Sequence, residues 1–87
     1  LSNKANASYL FKLYPNPAHE YVTLQSDTVI NHIKVFDLLG RAVFEQNTKN
    51  QQIVQLNIAH YPSGLYLIEV QSEYSTEILK LIKQLGN

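Results

Sequence analysis

The sequence LYLIEVQ at residues 65–71 decides the fold class, because it is the most apolar of the predicted strands. Tyr66, Ile68 and Val70 fall on one face of an extended segment and the two leucines on the other, since successive side chains of a strand point to opposite faces. A strand that is apolar on both faces lies inside a sheet, with neighbours on both sides. The segment therefore predicts a central β-strand, and the rest of the chain must supply its neighbours.

Short segments with a period of two surround this central strand, and turn-forming residues separate them. They are residues 10–14, 21–26, 30–38, 41–46, 52–58 and 76–83. The last one would also suit the apolar face of a helix, but we favour a strand because the central strand needs a neighbour. About seven short strands at this spacing predict an all-β fold, an antiparallel β-sandwich of two sheets.

Turn residues mark the ends of the predicted strands: Pro15, Asn16, Pro17, Asp37, Gly40 and Arg41. Neither proline can donate a hydrogen bond to a neighbouring strand, so the first strand ends there. An aspartate just before a tight turn can accept hydrogen bonds from the turn amides, and glycine allows a positive φ. We also expect turns at residues 26–27 and 72–75 and a polar loop at residues 47–50.

Composition limits the function classes. The 87 residues fit one domain, and the formal net charge of zero argues against binding to nucleic acid or to anionic lipid. The absence of cysteine removes disulfides, thiolate metal sites and cysteine catalysis. No apolar run is long enough to span or enter a membrane. Because position 1 is not methionine, we expect the sequence to be a piece of a longer chain.

No combination of residues predicts catalysis, a metal or a cofactor. His19, His32 and His60 lie on different predicted segments, so we interpret them as exposed loop residues rather than ligands. The carboxylates fall mainly on outward faces or turns, and neither a Gly-x-Ser-x-Gly elbow nor a glycine-rich phosphate loop occurs. Exposed tyrosines could form a platform for sugars, but Tyr66 is similar to the tyrosine corner of Greek-key sandwiches and is predicted to be structural.

The order of five sequence pieces resembles a known family. They are LYPNPA (13–18), IKVFDLLGRAV (33–43), LNI (56–58), SGLYLIEV (63–70) and KLIK (80–83). Together they resemble the type A C-terminal sorting domain of the type IX secretion system, found in Bacteroidetes. The resemblance covers residues 13–83 and implies an Ig-like sandwich of seven strands. It also implies residues 1–9 as the linker from an upstream cargo domain and residues 10–87 as the sorting domain.

Several functional expectations follow from this resemblance alone. The cargo would cross the periplasm, the outer-membrane translocon would recognise the folded domain, and a surface sortase would cleave it at the cell surface. The domain would then be a substrate of the secretion machinery, with no enzymatic activity and no cofactor. The residues expected to matter for translocon recognition are Gly64, Tyr66, Lys80, Leu81, Ile82 and Lys83.

Within this set we expect two kinds of role. Gly64 and Tyr66 fit a turn and core packing better than direct contact, whereas Lys80 and Lys83 are expected to be exposed and to contact the translocon. Two other functions remain open, a carbohydrate-binding or adhesive module and a structural accessory domain of a secreted enzyme. An unpaired edge strand would also allow a weak homodimer.

Overall fold

A computed structural model describes residues 11–85 of the chain. The strands are β1 (Phe11–Tyr14), β2 (Tyr21–Phe36), β3 (Ala42–Asn57), β4 (Gly64–Ser72) and β5 (Thr76–Lys83). Between residues 11 and 85 there is no helix, and therefore none with the length and apolarity needed to cross a membrane. The expected linker (1–9) and the expected domain start at residue 10 lie outside the described residues.

The strand β2 organises the fold because it pairs with three other strands. β3 runs antiparallel along one edge of β2, while β1 and then β4 occupy the other edge. β5 follows on the far side of β4. We call β1, the first half of β2 and the second half of β3 the first layer. The remaining halves of β2 and β3, together with β4 and β5, are the second layer.

Buried side chains from both layers meet in one core. They include Phe11, Val22, Leu24, Val54 and Leu56 from the first layer, and Ile33, Val35, Ile68, Val70 and Leu81 from the second. Residues on the two inner faces of a sandwich interdigitate in this way. The antiparallel all-β sandwich predicted from the sequence is therefore confirmed.

The predicted division into seven strands is wrong at two places. The expected turn at residues 26–27 lies inside β2, and the expected loop at residues 47–50 lies inside β3. The two strands resume their pairing after each shift of register: residues 26–29 of β2 lie opposite residue 52 of β3, and residues 48–50 of β3 lie opposite residue 31 of β2. Such bulges bend and twist a strand without ending it. Residues 11–85 therefore form five continuous strands, two of which pass through both layers.

Side chains satisfy the backbone where the register shifts. The amide of Thr28 donates to Ser26 Oγ at 3.0 Å, and the buried hydroxyl of Thr48 donates to the carbonyl of Ile30. Gln52 Nε2 donates to the Asp27 carbonyl at 3.0 Å. The turn-forming residues therefore bind backbone groups at the bulge, and the chain does not reverse its direction there.

The predicted roles of the last two strands are confirmed. β4 lies between β2 and β5, with Tyr66, Ile68 and Val70 buried on its inner face. Residues 76–83 form a strand rather than a helix, and pair with β4 from Gly64↔Lys83 to Gln71↔Thr76. These two strands carry most of the residues that the family resemblance singles out.

Candidate functional site

Side chains of β5 alternate between the solvent and the core. Lys80 is exposed and Ile82 retains 43% of its accessible surface, whereas Leu81 is fully buried and Lys83 retains only 2%. The expectation of an exposed lysine therefore holds for Lys80 and is wrong for Lys83. Strand alternation places Lys83 on the same inward side as Leu81, and this is the signal that the expectation of two exposed lysines overlooked.

The ammonium group of Lys83 is bound by backbone carbonyls of the connector between β3 and β4. Its Nζ donates to the carbonyls of Ile58 at 2.8 Å, Ala59 at 3.2 Å and Tyr61 at 3.0 Å. A lysine ammonium has three donors, so all of them are used. Lys83 therefore fastens the end of β5 to this connector and has no free donor for another protein.

Residues 16–19 lie along the outer edge of β5, and we call this segment the edge cover. The side-chain amide of Asn16 donates to the Lys80 carbonyl at 2.8 Å and accepts from the Ile82 amide at 2.9 Å. Ala18 continues the pairing with its backbone, donating to the Ile82 carbonyl at 2.8 Å and accepting from the Gln84 amide at 2.9 Å. The LYPNPA and KLIK pieces of the sequence are therefore one structural unit.

Gly64 and Tyr66 fix the start of β4. Gly64 has a φ of 147°, which disfavours any residue with a side chain, and it pairs with Lys83. The Tyr66 hydroxyl donates to the Pro62 carbonyl at 2.6 Å, which is the hydrogen bond of a tyrosine corner. Its ring packs against that of Tyr61 with centroids 5.0 Å apart. Burial, together with the nearby charge of Asp37, raises the pKa of Tyr66. The hydroxyl and the ring of Tyr66 thus both contact the connector before β4.

The carboxylate of Asp37 organises the turn between β2 and β3. Its Oδ1 accepts from the amides of Leu39 at 2.9 Å and Arg41 at 3.0 Å, while Oδ2 pairs with the Arg41 guanidinium at 2.8 Å. The backbone hydrogen bond from Arg41, together with the other donors, lowers the pKa of Asp37 although partial burial opposes this shift. Gly40 adopts the expected positive φ of 84°. These contacts hold the turn between β2 and β3 together.

A shallow groove of about 250 Å³ lies between this turn and residues 62–66 at the start of β4. Leu38 and Leu39 stand exposed beside it. The groove therefore joins the DLLGR turn to the SGLY piece, although they are more than twenty residues apart in the sequence. The groove contains one carboxylate, that of Asp37, and that group is already held by Arg41.

The histidines lie apart from one another. His19 and His60 are exposed, whereas His32 is half-buried within β2 and contacts the Glu45 carboxylate at 2.8 Å. The expectation of an exposed loop residue is thus wrong for His32. His19 Nδ1 lies 3.1 Å from the Gln84 carbonyl, at the end of the edge cover. Among residues 11–85, no cluster of histidines and acids has the arrangement of a metal site.

Comparison with protein families matches residues 12–84 to a family described as the secretion system C-terminal sorting domain. The chain belongs to this family. The match covers every strand except the first residue of β1, so it includes the edge cover, the tyrosine corner and β5. The domain is the sorting signal of type IX secretion, which directs an attached cargo to the cell surface or the extracellular space.

The chain is similar in sequence to part of a longer enzyme and similar in fold to solved β-sandwich domains. Ulvan lyase NLR42 of Nonlabens ulvanivorans is 32% identical over 72 residues, which are 77% of this chain and 14% of the lyase. This sorting domain thus corresponds to a small part of that enzyme. A DUF3244 family protein of Bacteroides vulgatus, described as an immunoglobulin-like β-sandwich, has a TM-score of 0.60 and 19% identity, with 82% and 83% of the two chains covered.

A second solved structure has the same fold. It contains the CBM51-2 and INT domains of Clostridium perfringens ZmpB and has a TM-score of 0.59 and 20% identity, over 80% of this chain and 17% of that one. At this level of identity the two structures establish the Ig-like fold alone.

Sequence analysis missed the contacts that Asn16 and Ala18 make with β5. The signal that the sequence offered for them was an asparagine between two prolines.

Proposed function

We propose that the type IX translocon recognises the outer face of β5, with Lys80 and Ile82 as the contacting residues. The observation that carries this proposal is the alternation along the strand, which exposes these two side chains and buries Leu81 and Lys83. Only exposed groups can contact a second protein without unfolding of the domain. The four consecutive residues therefore divide into two contact residues and two supporting residues.

The surroundings of Lys80 and Ile82 favour a partner that is apolar and carries one acidic group. Leu67 is directly opposite Lys80 and Leu65 is opposite Ile82 in the neighbouring strand β4. Ile78 adds a further apolar side chain on the same face, 53% exposed. Interfaces combine such apolar centres with charges that set orientation and association rate.

Gly64, Tyr66, Leu81 and Lys83 support this surface from within the domain. Lys83 and Tyr66 hold the connector before β4, Leu81 packs in the core, and Gly64 allows the backbone to enter β4. Changing them would impair recognition through loss of the fold. The recognition residues expected from the sequence thus act in two physically different ways.

The upstream cargo and the steps around recognition complete the proposal. The similarity to part of an ulvan lyase suggests a secreted enzyme as cargo, with residues 1–9 as the linker at which a surface sortase cleaves after passage through the periplasm. The sorting domain itself performs no reaction in this scheme. Its task is to present a rigid surface to the machinery.

Export of a reporter fused to residues 1–87 tests the proposed surface. Lys80→Glu reverses an exposed charge and should lower surface display by about tenfold or more, because like charges across an interface are unfavourable. Lys12→Glu makes the same change on the exposed face of the first layer and should leave export unchanged. Equal export of the two variants, with equal folding, would refute the surface. Deletion of residues 80–87 is less informative, because it also removes the buried Leu81 and Lys83.

Glycan binding is a second candidate function, favoured by one observation. Tyr14 and Tyr21 are 43% and 48% exposed on adjacent strands of the first layer, and Tyr14 donates to Gln25 Oε1 at 3.0 Å. Aromatic rings beside amides suit an uncharged sugar polymer. Affinity electrophoresis in a neutral β-glucan should show retardation that Tyr14→Ala removes, while Tyr74→Ala, at the exposed turn before β5, keeps it. Absence of retardation in the unchanged domain excludes this function.

A further inference from the structure

Two leucines form the tip of the turn between β2 and β3, and both face the solvent. Leu38 and Leu39 are 66% and 78% exposed, and neither belongs to the core. The turn beneath them is firmly held, because the Asp37 carboxylate accepts from the amides of Leu39 and Arg41. Backbone hydrogen bonds of 3.0 Å also join Asp37 to Gly40 and Arg41. Apolar side chains on such a preorganised turn lose little conformational freedom when a partner binds them.

The groove beside these leucines is apolar and carries no net charge. Pro62, Gly64 and Leu65 line it from the side of β4. Its charged groups are the carboxylate of Asp37 and the guanidinium of Arg41, which lie 2.8 Å apart and neutralise each other. A charged group of a partner would therefore find no opposite charge left free in the groove. The chemistry of the groove fits uncharged apolar side chains.

The groove and the entry of the chain lie at opposite ends of the sandwich. Phe11, the first residue of β1, pairs with Ser26 next to the bulge of β2. This bulge lies where β4 ends, because Ile30 pairs with Ser72. The groove lies where β4 begins, and a strand of nine residues separates the two places by roughly 27 Å. A cargo domain that precedes β1 is therefore attached at the end far from the groove.

The groove continues into the surface that we propose for the translocon. Leu65 lines the groove and lies opposite Ile82 of β5. Leu67, two residues further along the same face of β4, lies opposite Lys80. One apolar strip therefore runs from the turn, across the start of β4, to the outer face of β5.

We propose that Leu38, Leu39 and the groove are a second contact with the translocon, and that the occupant is an uncharged apolar segment of a translocon protein. This inference rests on the proposed recognition of β5 and extends it around the end of the sandwich. A lipid surface fits less well, because insertion of the leucines would also take the Asp37–Arg41 ion pair out of water. By itself the groove is smaller than the interfaces of stable dimers, whereas together with the β5 surface it forms one larger contact area.

Leu39→Asn tests this contact in the reporter fused to residues 1–87. Asparagine removes the apolar side chain, adds no charge and suits a turn, so the melting temperature should not change. Surface display should fall by about tenfold. Tyr74→Asn is the matched control, because Tyr74 is 77% exposed in the turn before β5, at the opposite end of the sandwich. It should be exported like the unchanged domain. Equal export of the two folded variants would overturn the inference.

Comparison with Lys80→Glu separates this contact from the proposed surface on β5. Normal export of Leu39→Asn with reduced export of Lys80→Glu would overturn the groove contact and leave the β5 surface standing. The reverse result would refute the β5 surface and support the groove.

Two further measurements identify the occupant. In cells with a type IX system, p-benzoylphenylalanine in place of Leu39 should crosslink the domain to an outer-membrane protein of the translocon. The same group in place of Tyr74 should not. If Leu39→Asn instead abolishes binding of the purified chain to phosphatidylcholine vesicles, or a dimer seen in sedimentation equilibrium, the leucines serve a lipid surface or a second copy. Either of these results would overturn the inference.

Discussion

Lys83 and Lys80 lie three residues apart in β5, but their ammonium groups have opposite surroundings. Lys83 Nζ is enclosed by carbonyls from Ile58, Ala59 and Tyr61, whereas Lys80 is exposed. A charge in the interior is tolerated when all of its hydrogen bonds are made, and removing it leaves its partners unsatisfied. The two lysines therefore form a matched pair, in which the same type of side chain serves folding at position 83 and the surface at position 80.

Replacing each lysine by methionine should separate these roles. Lys83→Met leaves the carbonyls of Ile58, Ala59 and Tyr61 without their donor, and should lower the free energy of unfolding by about 1–3 kcal/mol. Lys80→Met changes an exposed side chain and should stay within about 0.5 kcal/mol of the unchanged domain. Urea unfolding followed by circular dichroism measures both values. Equal stability of the two variants would contradict the buried role of Lys83.

The carboxylate of Asp37 should make stability depend on pH in the acid range. Because the turn amides and Arg41 lower its pKa in the folded state below the ordinary value of 3.8, folding favours the ionised form. The stabilisation is present above that ordinary value and is lost as pH falls through the lowered folded pKa. We expect Asp37→Asn to unfold at a lower urea concentration at pH 7, and the difference to shrink as the pH falls below 3.8. A difference that is constant with pH would show that ionisation of Asp37 is irrelevant.

At the scale of the element, alternation of apolar residues was sufficient to predict β4 and β5. It failed at residues 26–29 and 47–50, because serine, threonine and asparagine satisfy the backbone of a bulge as well as that of a turn. Alternation puts Lys83 on the inner face of β5, but sequence alone could not identify its three acceptors, which lie 22–25 residues away. The contacts of Asn16 cross 64 and 66 residues, so they too depend on the assembled fold.

The assignment of faces on β4 has its own test. Ile68 is fully buried opposite Val35 and Leu79, so Ile68→Ala should cost about 2–5 kcal/mol of stability through the cavity it leaves. Leu67→Ala removes a half-buried side chain on the other face and should cost clearly less. Thermal melts of the two variants give the comparison. The reverse order of stability would mean that the inner and outer faces of β4 have been interchanged.

At the scale of the whole molecule, β2 and β3 connect the two layers because each strand passes through both. Unfolding of these strands in one layer would therefore also disrupt the other layer. The core likewise includes side chains from both layers, for example Val22 from the first and Val70 from the second. A sorting domain built in this way presents its surface on β5 only when the entire sandwich is folded.

We therefore expect one cooperative unfolding transition. Methyl NMR signals of Val22 and Val70 should disappear with the same urea midpoint, and the calorimetric and van't Hoff enthalpies should agree. The heat-capacity change should be about 1 kcal/mol/K for a domain of this length. Variants in different layers, such as Leu24→Ala and Ile68→Ala, should shift both methyl midpoints together, because each weakens the common core. Separate midpoints for Val22 and Val70 would show that the layers unfold independently, and that β2 acts as a hinge between them instead of binding them into one unit.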